Sequence, residues 1–97
     1  MRLEYFEIEK IKSSALKIFG KDVHVYLFGS RVDDSSKGGD IDLYVQAQTN
    51  DNNIESKINF LIDLKSAIGD QKIDVIMAKD LSRLIEQEAL QTGVKLL

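Results

Sequence analysis

The sequence predicts a small single-domain α/β (α+β) protein, spanning residues 1–97, in which helices pack against a small mixed β-sheet. Three observations carry this expectation. The runs VHVYLF, DIDLYVQA and KIDVIMA are rich in β-branched and aromatic residues and read as strands. Segments with apolar residues at helical spacing precede, separate and follow them. The helix between the second and third strands is long enough for a right-handed crossover joining parallel strands. The expected order is α-β-loop-β-α-β-α, with no linker, repeat or proline.

The elements follow in turn. Residues 3–19 place Ile8, Ile11, Ala15, Ile18 and Phe19 at helical spacing, and Gly20 is a natural stop. Residues 23–28 form the first strand, and the apolar Tyr26 and Phe28 imply burial on both faces. Gly29 to Gly39 is a polar loop with a helical turn near its start. Residues 40–47 form the second strand, with Ile41, Leu43, Val45 and Ala47 on one face and Asp40, Asp42, Tyr44 and Gln46 on the other. After the turn at 49–53, Asn52 and Glu55 form a capping pair for a helix over 53–68, with Ile54, Ile58, Leu61, Ile62 and Ile68 as its apolar stripe. Gly69 ends it, and residues 72–78 form the third strand. Asp80 caps a last helix through Gln91, whose Leu81, Leu84, Ile85 and Ala89 face inward. Gly93 stops that helix, and VKLL is a short strand or tail.

Composition narrows the function classes. With 43% hydrophobic and 30% charged residues, the chain has the make-up of a soluble globular domain. No apolar run approaches the roughly 20 residues that span a bilayer, and the charged start MRLEYFEIEK is unlike a secretion signal. No membrane association and a cytoplasmic location are expected. The absence of cysteine excludes disulfides and thiolate chemistry. A net charge of −3 argues against direct nucleic-acid binding, which depends on Lys and Arg neutralising phosphates. Residues 33–42 hold four aspartates against one lysine, a balance that suits a cation.

Aspartate is depleted in strands, yet Asp40 and Asp42 open the second strand and Asp74 sits inside the third. Two residues apart on a strand, Asp40 and Asp42 point the same way with Cα atoms about 6.6 Å apart. That arrangement suits hard cations such as Mg²⁺, and Asp74 completes the set if its strand lies beside the second. The same pair would also fit the solvated face of an edge strand, where charge discourages sheet-to-sheet pairing. Gly29-Ser30 at a strand end offers unobstructed backbone N–H groups and a hydroxyl to a phosphate, with Arg31 beside them; a plain tight turn is the simpler reading of those two residues alone. The loop is neither a P-loop nor an EF-hand, because the required Lys and the twelfth-position Glu are missing. The lone His24 reads as a packed or edge residue, Tyr44 as core or a base-stacking platform, and Tyr5, Phe6 and Phe19 as core or partner surface.

LFGSRVDDSSKGGDIDLYV, followed by IDVI and LIEQEALQTGVKLL, resembles the DNA polymerase β-like nucleotidyltransferase superfamily over nearly the whole chain. The short length resembles its minimal nucleotidyltransferase (MNT) branch, often paired with a helical HEPN-domain protein. The resemblance implies that Gly29 and Ser30 hold the nucleotide's phosphates, that Asp40 and Asp42 bind Mg²⁺ as two ions, and that Asp74 binds metal and activates the attacking hydroxyl. It implies transfer of AMP from ATP to a tyrosine of a HEPN toxin, as a type VII-like antitoxin. Two alternatives are a non-catalytic antitoxin that neutralises by binding, and the catalytic subunit of a two-chain transferase acting on a small molecule. Two positions depart from the family pattern: Asp34 stands where many members have glycine, and Gly39 where many have serine.

Overall fold

The computed structural model describes residues 1–33, 35, 39–69 and 71–97. Helix α1 (Tyr5–Phe19) leads into β1 (His24–Phe28), which runs straight into a 3-10 turn at Gly29–Val32. Strand β2 (Ile41–Gln46), helix α2 (Ile54–Ile68), strand β3 (Ile73–Met77), helix α3 (Leu84–Thr92) and the two-residue β4 (Val94–Lys95) follow. The four strands form one mixed sheet in the order β3-β2-β1-β4. β1 is antiparallel to both β2 and β4, and β3 is parallel to β2, as a helical crossover requires.

Strand alternation divides the sheet into two faces. Val25, Leu27, Ile41, Leu43, Val45, Ile73, Val75 and Met77 turn toward α1 and α2 and build the main core with Ile11, Phe19, Phe60 and Leu64. Phe19 meets Phe60 edge to face, their ring centroids 5.3 Å apart. The opposite face is smaller: Phe28 and Tyr44 pack with Ala89 of α3, flanked by Tyr26 and Ile76. Burial on both faces of β1 therefore holds.

The helices differ from expectation in detail. α1 starts at Tyr5 rather than residue 3, with Glu7 Oε1 accepting from the Glu4 N–H at 2.8 Å. In α2 the cap is Asn53, whose side chain accepts from the Ser56 N–H; Asn52 instead donates to the Ala78 carbonyl and ties the turn to the end of β3. The α2 stripe is also corrected. Phe60 and Leu64 are buried, with Leu61 and Ile68 packed against them, whereas Ile54, Ile58 and Ile62 are exposed. Apolar residues occupy two arcs of this helix, and only the arc facing the sheet finds partners. The same correction applies to the last helix. It begins at Leu84, because Asp80 accepts from the Ser82 N–H in a turn instead of capping, and Leu81, Leu84 and Ile85 stay exposed. Only Ala89 of the expected stripe is buried.

Asp63 fastens α2 to α1, accepting from Ser14 Oγ at 2.5 Å and Lys17 Nζ at 3.0 Å, with Lys10 Nζ at 3.5 Å. The Ser14 hydrogen bond, then that of Lys17, pulls the Asp63 carboxyl down to about 2. A depressed carboxyl stabilises the fold above its ordinary value near 3.8 and loses that contribution as pH falls through the folded value. Asp63→Asn is expected to cost about 1 kcal/mol at neutral pH after solvent screening, and progressively less as pH falls from 3.8 through about 2. Urea unfolding at stepped pH measures the difference; an equal cost at both ends would contradict this role.

Among the described residues, no helix is long and apolar enough to cross a membrane.

Candidate active site

The site forms where β1 ends and β2 and β3 begin. At the end of β1 the chain turns away from the sheet through Gly29, which has φ 77°. A side chain is disfavoured there for a second reason as well: a Cβ would run into Asp42 Oδ2. Gly29 thus lets the backbone of the turn lie directly against the Asp42 carboxylate. Gly39 plays a parallel part, with φ 90° and no room for a Cβ beside Ser30 Oγ. This is a local reason for glycine at a position where the resembled family often has serine. The other departure, Asp34, lies outside the described residues.

Asp42 and Asp74 are Cα partners across the parallel β2–β3 pair. Neighbouring strands lie about 4.8 Å apart, and both residues are on the face that carries α3, so the two half-exposed carboxylates are neighbours. The solvated-edge reading of Asp42 fails, because β2 lies between β1 and β3. Burial pushes the Asp42 carboxyl up from its ordinary value, and the negative charges of Asp74, Asp40 and Glu88 add to the shift while Lys72 opposes it. Asp40 precedes β2 and pairs with Lys72 Nζ at 3.5 Å. Among the described residues no three carboxylates already converge on one point as a ligand set. Asp42 and Asp74 supply the hard oxygen donors, crowded like charges that a divalent cation would relieve, and so fit Mg²⁺. Asp40 lies apart from this pair, its carboxylate turned to Lys72.

Asp42 and Asp74 open into a cleft of about 510 Å³, lined also by Gly29, Lys57 and Leu61 of α2, and Ile85 and Glu88 of α3. Helix α3 borders the cleft through Ile85 and Glu88 and is anchored to the sheet by a residue between them, Glu86. Glu86, 1% exposed, accepts from Tyr44 Oη at 2.6 Å, the Lys79 and Asp80 N–H groups at 2.9 Å, and Arg83 Nη1 at 3.0 Å. Burial alone would raise the Glu86 carboxyl, but these donors outweigh it and hold it below the usual range. Tyr44 is therefore a core residue, fully buried with its hydroxyl committed.

Ser30 lies exposed in the 3-10 turn, beside Gly29. Arg31 is in the same turn, but its guanidinium binds the Gly39 and Arg2 carbonyls and Gln71 Oε1, at 3.2, 2.9 and 2.8 Å. It staples the loop to the N-terminal segment and to the start of β3. Arg2 does the same from the other side, donating to the Ser30 and Asp33 carbonyls at 2.9 and 3.0 Å. Sequence reading missed Arg2, Lys57, Lys72, Glu86 and Glu88. Each comes from a separate segment, so no spacing pattern could bring them to the motif. His24 is exposed at the start of β1, away from the cleft.

A family model described as "Polymerase beta, Nucleotidyltransferase" matches residues 9–97. No curated protein sequence matches the chain.

Proposed function

The chain belongs to the polymerase β-type nucleotidyltransferase family, and from that premise we propose that it transfers AMP from ATP to a hydroxyl of a partner chain, a tyrosine of a HEPN-domain protein. The observation that supports this best is the in-register Asp42–Asp74 pair at the mouth of a cleft, with Gly29 pressed against one carboxylate. Gly29 and Ser30 bring backbone N–H groups and a hydroxyl toward the triphosphate. Asp42 and Asp74, with Asp40 as third donor, would hold Mg²⁺, which neutralises triphosphate charge and acidifies the acceptor hydroxyl. Asp74 would receive the hydroxyl proton. The acceptor oxygen bonds to the α-phosphorus, the α–β bridging bond breaks, and pyrophosphate leaves. Holding the two reactants in line contributes much of the acceleration.

A second reading is favoured by the exposed apolar residues of α2 and α3: neutralisation of the partner by binding alone. Co-expression with a HEPN-domain protein, followed by intact-mass measurement, separates the two. Transfer predicts a partner heavier by one or more AMP units, and no increase with Asp42→Asn/Asp74→Asn. A partner silenced equally well by that double variant, and never modified, would support binding alone.

A further inference from the structure

The cleft at Asp42 and Asp74 does not stand alone. A second cavity of about 270 Å³, near the N-terminus of α2, shares Lys57, Val75 and Ile76 with it. Together they form one groove along β3, from Asp74 at one end to Lys79 and Arg83 at the other. β3 is an edge strand. The Ile41 N–H donates to the Lys72 carbonyl and the Ala78 N–H to the Val45 carbonyl, so the alternate residues 72, 74, 76 and 78 face β2. By the same alternation the backbone N–H and C=O groups of Ile73 and Val75, and the N–H of Met77, face outward into the groove. The Met77 carbonyl accepts from Arg83 Nη1, which closes that end.

Edge strands are ordinarily blunted by lysine, proline, a bulge or a covering segment. The sequence of β3, IDVIM, carries no lysine or proline, and its one charge, Asp74, stands in register with Asp42 at the cleft end of the strand. Its groove is instead walled by apolar side chains, Ile54 and Leu61 on α2 and Ile85 on α3, of which Ile54 and Ile85 are exposed. Its charge is polarised: Asp42, Asp74 and Glu88 lie at one end, Lys57 and Lys79 toward the other. Neither lysine makes an ion pair among the described residues.

We infer that the acceptor is an extended polypeptide segment that adds as a strand to the outer edge of β3. Its hydroxyl side chain lies opposite Asp74, and an acidic residue lies at Lys57 and Lys79. This rests on the transfer reading for the role of the hydroxyl, but the docking itself does not. A residue paired with Asp74 projects on the same face as the two carboxylates. At about 3.3 Å per residue, the acidic side chain falls roughly three to five positions from the hydroxyl. Main-chain pairing supplies affinity in this mode and the alternate side chains supply choice.

The test uses the whole chain and a displayed library of random twelve-residue peptides. Selected peptides are expected to carry a hydroxyl residue and an acidic residue at that spacing. Their binding should slow amide exchange at Ile73, Val75 and Met77. Lys57→Glu/Lys79→Glu should weaken them by about tenfold or more and select basic peptides instead. Failure to enrich any peptide, enrichment without the spacing, or binding that leaves the β3 amides exchanging would overturn the inference. Adding Mg-ATP to the bound peptides separates the two proposals. Docked peptides that gain no AMP would leave the docking intact and count against transfer. AMP addition without protection of β3 would count the other way.

Discussion

Asp42→Asn is expected to abolish nucleotidyl transfer and, in the same molecule, to raise the unfolding temperature. The loss follows from removing an anionic oxygen donor from the Asp42–Asp74 pair. Charge stabilisation of this kind is worth several kcal/mol, so transfer should fall by about a thousandfold or more. The gain follows from the same crowding. Burial and the charges of Asp74, Asp40 and Glu88 raise the folded-state carboxyl of Asp42 above its ordinary value. For a raised carboxyl the ionised form costs stability above the folded value, and the cost vanishes below the ordinary value near 3.8. Asparagine keeps the shape beside Gly29 and removes the charge. The expected gain is on the order of 0.5–1 kcal/mol at neutral pH, and one kcal/mol moves Tm by about 4–8 °C in a domain of this size. It should shrink as pH falls into the carboxylate range. Thermal melts of both proteins without nucleotide, beside a radiolabelled AMP-transfer assay, read the two effects. A variant that transfers normally would remove Asp42 from the site, and one no more stable than the parent would refute the crowding.

Glu86→Ala should be the most damaging single change outside the site. It strips a buried carboxylate from four donors, leaving Tyr44 Oη and two backbone N–H groups without their acceptor and Arg83 Nη1 with only the Met77 carbonyl. Breaking a buried charged network by removing one partner costs about 3–5 kcal/mol, against a total of roughly 5–15 kcal/mol for a whole domain. Because the Glu86 carboxyl is held below its ordinary value of 4.5, its contribution is present above that value and lost as pH falls through the folded one. Urea unfolding should show a much lower midpoint with a similar slope. Adding Tyr44→Phe should recover part of the loss, since the orphaned hydroxyl goes with it. A loss below about 1 kcal/mol in the single variant would show that α3 is held by other contacts.

Both residues show where sequence reading stops. Asp42 stood out because a charge inside an apolar strand is locally anomalous, and period-two alternation told which neighbours share its face. Glu86 lies in LIEQEALQ, where a glutamate reads as an ordinary solvated helix position. Its burial depends on Tyr44, forty-two residues earlier. The misread helix stripes have a related cause. Hydrophobic burial is non-directional, so apolar residues on two arcs of α2 give no local sign of which arc meets the sheet. Phe60 and Leu64 joined the buried cluster with Phe19, Ile73 and Val75, and Ile54, Ile58 and Ile62 were left outside.

By itself the sequence determined the strands, their alternation, the crossover and the unusual carboxylates within β2 and β3, because each is written in spacing a few residues long. The tertiary structure alone decided that Asp42 and Asp74 stand in register, that Asp40 faces Lys72, and that Arg31 braces the loop. It also left the β3 edge open between two apolar walls. Those outcomes depend on which distant segments meet, and a contact across forty residues leaves no periodic trace in the chain.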